Sequence, residues 1–153
     1  FGVMFTPNQQ QSAAELLRVC KSNGKIGLAN WTPEGFIGQL FKLIGSYVAP
    51  PAGLQSPARW GTRAFIDAQF EQQATQITYR SREFNFRYRS PQHWVELFRT
   101  YYGPVHKAFA ALNAEHAMQL EQDIIALIGR FNRADDGSMV VPSEYLEIVV
   151  QKR

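Results

Sequence analysis

Two histidines in the middle of the chain are the side chains best suited to proton transfer. His93 and His106 lie in a segment that is dense in aromatic residues. An imidazole titrates near neutral pH, which is what a general base requires. Because no carboxylate partner is evident for either residue, a structural or solvated role stays open beside the catalytic one.

The same segment offers large rings that suit the binding of a small molecule. Four of them follow His93: Trp94, Phe98, Tyr101 and Tyr102. An aromatic helical segment between two sheet strands is typical of a lid over a hydrophobic substrate. Trp31, at the end of a predicted strand, is a further candidate wall of such a pocket. The alternative is that these rings pack between paired helices or simply cover the sheet.

Other polar groups give weaker signals. Asp135 and Asp136 precede a glycine as in a calcium loop, but no further ligands follow at the required spacing, so we predict a turn and no metal site. Four arginines and two tyrosines lie along residues 79–89, which suits a nucleic-acid surface but is explained more simply as the solvated face of a strand. With a net charge of only +3, we predict no nucleic-acid partner.

Composition narrows the class of protein and its compartment. A hydrophobic content of 45% predicts an ordered globular fold. No apolar run approaches the roughly 20 residues that a membrane helix requires, so we predict no membrane partner. The single cysteine, Cys20, excludes an internal disulfide and suits a reducing compartment. Since no signal peptide is visible either, we predict a cytoplasmic protein.

The first secondary-structure elements predicted to position these side chains are a helix, a turn and a strand within residues 9–31. Apolar residues recur at helical spacing over residues 9–21, residues 22–24 suit a tight turn, and residues 26–31 are a continuous apolar run. Such a run is typical of a parallel strand buried on both faces, and the three elements form half of a βαβ unit. Residues 1–5 are a shorter apolar run, which we predict to be another strand.

Helical periodicity, capping residues and alternation define the rest of the chain. The predicted helices begin at Thr32–Pro33 and cover residues 62–72, 93–112 and 114–131, with an interruption at Gly103–Pro104. The predicted strands cover residues 74–88 and 139–150, and they are compatible with an antiparallel pair.

In this order of elements the chain resembles the C-terminal half of a class I S-adenosylmethionine-dependent methyltransferase, of the small-molecule branch related to quinone-biosynthesis enzymes. The Phe-Gly-Val-Met-Phe opening is similar to the end of the family's fourth strand, and residues 15–28 are similar to its next helix, turn and fifth strand. Residues 84–88 with 145–150 are similar to its antiparallel sixth and seventh strands. The turn carries Ser22-Asn23-Gly24 where the family usually has Pro-Gly-Gly.

The resemblance implies an α/β fold with a partial Rossmann-like sheet. Its last parallel strands are followed by an antiparallel hairpin, and a helical cap is inserted. The implied divisions are 1–48 as the C-terminal part of the Rossmann-like core, 49–73 as linker and short helix, 74–90 as a core strand, 91–132 as the helical cap and 133–153 as the final core strand.

The resemblance also implies S-adenosylmethionine as the cofactor of a longer parent protein. The rim of its site would include Phe1, Gly2, Met4 and Phe5, whose alternative role is one strand face and core. The family holds the cofactor on a Gly-rich loop after its first strand and a carboxylate that ends its second. No G-x-G-x-G follows a strand here. We therefore predict that the chain alone binds the cofactor weakly or not at all and is inactive.

The predicted function is that of a methyltransferase fragment whose small-molecule acceptor is apolar or aromatic. The alternative is a non-catalytic module that binds a ligand or dimerises. An N-terminal strand without neighbours would expose an apolar edge, and such edges associate. We therefore predict a homo-oligomer that buries this edge.

Overall fold

The structure is a computed structural model that describes all of residues 1–153. It confirms the α/β class: six α-helices accompany one three-stranded antiparallel sheet. The helices are α1 (Gln9–Val19), α2 (Phe36–Tyr47), α3 (Arg63–Phe70), α4 (Pro91–Tyr101), α5 (Gly103–Ala111) and α6 (Ala114–Phe131). The strands are β1 (Lys25–Trp31), β2 (Ala74–Tyr88) and β3 (Met139–Lys152). Short 3-10 helices cover Gly2–Phe5, Pro57–Gly61 and Glu71–Gln73.

The sheet has the order β1-β3-β2, so the last strand of the chain lies at its centre. β1 pairs with β3 in antiparallel register, from Lys25 opposite Gln151 to Trp31 opposite Tyr145. The prediction that residues 26–31 belong to a parallel pair is therefore wrong. A continuous apolar run records burial but not strand direction, and here the partner is the returning C-terminal strand.

The first residues form no strand. Gly2–Phe5 is a single 3-10 turn, in which the N–H and the hydroxyl of Thr6 donate to the Val3 carbonyl at 3.3 and 2.9 Å. The predicted strand over residues 1–5 is wrong, and so is the exposed N-terminal strand edge on which the oligomer prediction was based. An apolar run of five residues is too short to distinguish a strand from a turn by its pattern. Here the local hydrogen bonds of Thr6 stabilise the turn.

Local signals locate most of the helices, although α2 begins at Phe36 and not at Thr32–Pro33 as predicted. Thr62 and Ser90 accept backbone N–H groups at the starts of α3 and α4, as predicted, and α6 has the predicted bounds. The predicted helix over residues 93–112 is divided into α4 and α5, because Pro104 is accommodated in the first turn of a new helix.

The chain divides into two compact units. The first unit consists of Phe1–Gly35, Ala52–Glu83 and Glu144–Arg153, and the second consists of Phe36–Pro51 and Phe84–Ser143. In the first unit α1 packs against α3, and the 3-10 helix Pro57–Gly61 packs against β1. In the second unit α6 packs against α2 and α4, and α4 packs against α5.

Candidate functional site

Three aromatic rings meet at the carboxyl end of β1, in the first unit. Phe1 stacks on Trp31 with ring centres 4.3 Å apart, and Tyr145 meets both rings edge-on, at 5.4 Å from Phe1 and 5.9 Å from Trp31. We call these three residues the aromatic cluster. Phe1 is 44% exposed and Trp31 only 8%, so one ring of the cluster is accessible to solvent while the ring beneath it is buried.

Backbone contacts hold Trp31 at the sheet edge. Its N–H donates to Sδ of the buried Met4 at 3.4 Å. Its carbonyl oxygen lies so close to Gly61 that a Cβ at that position would be 2.0 Å away, a distance that no side chain tolerates. Met4 and Gly61 therefore close the outer edge of β1 at its last residue.

Asn30 is a fully buried amide at the same end of β1. Its side chain is 0% exposed, and neither Oδ1 nor Nδ2 has a hydrogen-bond partner. An unsatisfied buried polar group costs about 1–3 kcal/mol. By strand alternation the side chain lies on the face of the sheet opposite Trp31. A donor and an acceptor are thus held there without partners.

Thr32, two residues further along, has its hydrogen bonds satisfied. Its N–H donates to the Glu144 carbonyl at 3.2 Å, and its Oγ1 accepts the Gly35 N–H at 3.3 Å. These bonds extend the β1–β3 ladder by one residue and fix the turn after the strand. The unpartnered amide of Asn30 therefore lies in an otherwise well-bonded strand end.

His93 lies at the start of α4, in the second unit. Its backbone N–H donates to Ser90 Oγ at 3.1 Å, and its ring meets Tyr88 edge-on at 5.8 Å. The ring nitrogen Nδ1 is buried without a partner. His93 lines an open cavity of about 530 Å³ together with Arg89, Ser90, Gln92, Glu96 and Glu121. Glu96 and Glu121 are carboxylates that line the same cavity.

His106 lies on α5 and is exposed. Its Nδ1 is 3.0 Å from the carbonyl oxygen of Arg99, in the last turn of α4. Since a carbonyl only accepts, Nδ1 carries the proton in this contact and Nε2 is left as the basic nitrogen. The two predicted bases thus lie in the same unit but in different surroundings.

Two aromatic residues of α4 and the residue that follows its end form a continuous stack, which we call the aromatic seam: Trp94, Phe98 and Tyr102. The rings of Trp94 and Phe98 are parallel with centres 3.9 Å apart, and Tyr102 lies 4.9 Å from Phe98. Trp94 is fully buried, and burial raises the pKa of Tyr102 to about 12. Tyr101, by contrast, is 81% exposed and lies outside the seam.

The structure thus brings the predicted site residues together in two groups. Phe1, Met4 and Trp31 meet in the first unit, and the aromatic seam forms in the second; Gly2 and Phe5 are exposed on the 3-10 turn. Sequence reasoning assigned no role to Asn30 or Tyr145. Asn30 was detectable as the one polar side chain in the apolar run 26–31, whereas Tyr145 depends on a strand register that no local signal encodes.

No three His, Cys, Asp or Glu side chains lie close enough together to hold a metal ion. Within a turn, hydrogen bonds from the Ser138 hydroxyl and from the Ser138 N–H lower the pKa of the Asp136 carboxyl. None of the helices combines the length and apolar character needed to cross a bilayer.

No family model matches this chain. It is similar to two uncharacterized proteins of Mycobacterium tuberculosis (strain ATCC 25618 / H37Rv), Rv1403c and Rv1405c, each 34% identical over 155 and 156 residues. The matches cover 99% of this chain but 55% and 56% of those proteins. The chain therefore spans about half the length of the curated relatives it matches. Among solved structures it is similar to the YcgJ protein from Bacillus subtilis, at 17% identity and a TM-score of 0.44, covering 99% of this chain and 60% of that one.

Proposed function

We propose that the chain is the C-terminal part of a cytoplasmic, S-adenosylmethionine-dependent methyltransferase that acts on a small apolar or aromatic molecule. The observation that carries the proposal is the unpartnered, fully buried amide of Asn30. A buried polar group without partners calls for an explanation, and a ligand that supplies its hydrogen bonds is one.

The residues at this end of β1 fit one part of S-adenosylmethionine. When bound, the cofactor supplies an electrophilic methyl group on a sulfonium cation. Aromatic rings attract cations, and Phe1 and Tyr145 both keep accessible surface. Asn30 offers a donor and an acceptor to the polar part of the molecule. Because this chain carries no Gly-rich loop after a strand, we expect it to bind the cofactor weakly by itself.

The chain's own contribution to methyl transfer would be to orient the acceptor and exclude water from it. The aromatic cluster supplies an apolar surface for an aromatic acceptor. The two predicted bases, His93 and His106, both lie in the second unit, and their catalytic role stays a prediction.

The proposal is tested by titrating S-adenosylhomocysteine into the ¹⁵N-labelled chain. We expect the side-chain amide signals of Asn30 and the backbone signal of Trp31 to shift. Asn30→Leu should weaken this binding about tenfold, the loss of one or two hydrogen bonds. The same substitution should raise the free energy of unfolding by about 1 kcal/mol, because an apolar side chain of similar size replaces an unsatisfied amide.

Ser143→Ala is the matched control. Ser143 is also fully buried, but its Oγ accepts the N–H of Ile37 at 3.2 Å. Its removal should lower the free energy of unfolding by about 1 kcal/mol and leave S-adenosylhomocysteine binding unchanged. If Asn30→Leu destabilises the chain as Ser143→Ala does, and binding is unaffected or absent in the parent chain, the proposal is wrong.

A second candidate, a non-catalytic module that dimerises, is favoured by the outer edge of β1. Gly24 and Thr32 direct their backbone bonds toward β3, so in an antiparallel ladder the residues at 25, 27 and 29 direct theirs outward. An open edge of this kind pairs with a second copy of the same strand. Sedimentation equilibrium at micromolar concentration would then show a dimer, and a monomer would exclude this candidate.

A further inference from the structure

A polar cavity of about 460 Å³ opens at the start of α1, within the first unit. This volume is in the range of small-molecule sites. Amide side chains dominate its lining, together with one cation: Asn8, Gln9, Gln10, Gln55, Gln69 and Arg59. No acidic side chain lines it.

The electrostatics of this cavity favour an anion. α1 is an 11-residue helix whose first turn leaves backbone N–H groups without intrahelical partners, and Asn8 Oδ1 accepts only that of Gln11. The helix dipole adds partial positive charge at the same end. Arg59 contributes a full charge, and it is held in place by a bond from Nη1 to Gln55 Oε1 at 3.1 Å and by the Phe65 ring, 4.9 Å from its guanidinium carbon.

Gln9 adds an independent requirement for a hydrogen-bond donor. Its side chain is only 6% exposed, and its Nε2 donates to the Ser56 carbonyl at 3.1 Å. Its Oε1 is buried and has no partner. Exchanging the two amide atoms would place two oxygens against each other, so the orphaned atom is the acceptor. Gln9 lines the cavity, and a ligand that satisfies its Oε1 must offer that oxygen an N–H or O–H group.

We propose that this cavity binds a small oxyanion that carries a hydroxyl group beside its charged group, as hydroxycarboxylates and polyol phosphates do. The anionic group would accept from Arg59 and from the free N–H groups of the first turn of α1. The hydroxyl would donate to Gln9 Oε1. The inference does not depend on the proposed function, because it uses none of the residues at the end of β1.

The test compares four probes by ¹⁵N chemical-shift titration of the chain. L-Malate and glycerol 3-phosphate carry both groups, succinate lacks the hydroxyl and glycerol lacks the charge. We expect the first two to shift the backbone signals of Gln9 and Gln10 and to bind several-fold more tightly than succinate, with glycerol weakest. Whichever of malate and glycerol 3-phosphate binds more tightly identifies the anion as a carboxylate or a phosphate.

Three variants make the test specific. Arg59→Gln should weaken malate binding about tenfold, the loss of a charge-assisted hydrogen bond. Arg63→Gln is its matched control, because Arg63 lies over the Tyr79 ring at 5.1 Å in the same way but does not line the cavity, and it should change nothing. Gln9→Met should reduce malate binding to the level of succinate and leave succinate binding unchanged.

Several outcomes would overturn the inference. Equal binding of malate and succinate by the parent chain would remove the role of Gln9. Equal losses in Arg59→Gln and Arg63→Gln would show a general charge effect and no site. The absence of shifts at Gln9 and Gln10 with every probe would exclude a ligand at the start of α1.

Discussion

The aromatic cluster of the first unit and the aromatic seam of the second are built from the same kinds of residue but differ in exposure. In the cluster, Phe1 keeps 44% of its surface accessible while it stacks on Trp31. In the seam, Trp94 has none, and it is enclosed by Phe98, Phe36 and Phe86. One arrangement offers ring surface to a ligand, and the other fills a core.

The spacing of the rings along the chain accounts for this difference. The seam residues recur every four positions, so Trp94 and Phe98 lie on one face of α4, which packs against its neighbours, and Tyr102 follows just past the end of that helix. The cluster residues come from a chain start, a strand end and a partner strand, and they meet only through tertiary structure. Aromatic content alone does not separate the two cases, whereas periodicity does.

The largest expected effect comes from Trp94→Ala. Removing this fully buried indole leaves a cavity among Phe36, Phe86 and Phe98, and we expect the free energy of unfolding to fall by about 3–5 kcal/mol. Urea denaturation followed by circular dichroism measures it. Trp94→Phe should recover a large part of the loss. A loss below that of Phe1→Ala would mean that the seam is not a core.

A smaller effect is expected for Phe1→Ala. The exposed ring contributes mainly its contacts with Trp31 and Tyr145, so the free energy of unfolding should fall by about 1 kcal/mol. A double-mutant cycle with Tyr145→Ala should give a coupling energy of about 0.5–1.5 kcal/mol. Additive losses would show that the two rings do not interact in solution.

The smallest effect at neutral pH concerns Tyr102. Burial raises the pKa of its hydroxyl to about 12 in the folded chain, against about 10 for an unperturbed tyrosine. Its neutral form therefore stabilises the fold fully below pH 10, and this contribution is lost as the pH rises toward 12. Urea midpoints between pH 8 and 11.5 measure the loss. Tyr102→Phe should flatten that part of the curve, and an unchanged slope would contradict the assignment.

Most helices follow from local sequence, because their signals are local. Thr62 and Ser90 cap the helices that follow them, and the apolar period over residues 114–131 defines α6 to the residue. The alternation over residues 74–88 likewise gives the bounds of β2. In each case the residues that determine the element lie within it or next to it.

The direction of β1 and the structure of residues 1–5 could not be predicted from local sequence in the same way. The partner of Lys25 is Gln151, at the other end of the chain, and the apolar pattern of β1 is the same for a parallel or an antiparallel neighbour. The role of residues 1–5 was missed because a short apolar run suits a turn as well as a strand. The same applies to the candidate site. Phe1, Met4 and Trp31 were predicted as site residues from the sequence, but contacts with Tyr145 and Gly61 depend on tertiary structure.

The approach of Gly61 to the Trp31 carbonyl has a consequence for how this sheet can grow. A new strand on the outer side of β1 can bond residues 25–29, but at residue 31 the 3-10 helix Pro57–Gly61 already occupies the space. A single methyl group at position 61 would force the two backbones apart and lengthen the available edge. A strand added at the outer edge of β1 in this chain would therefore stop short of Trp31.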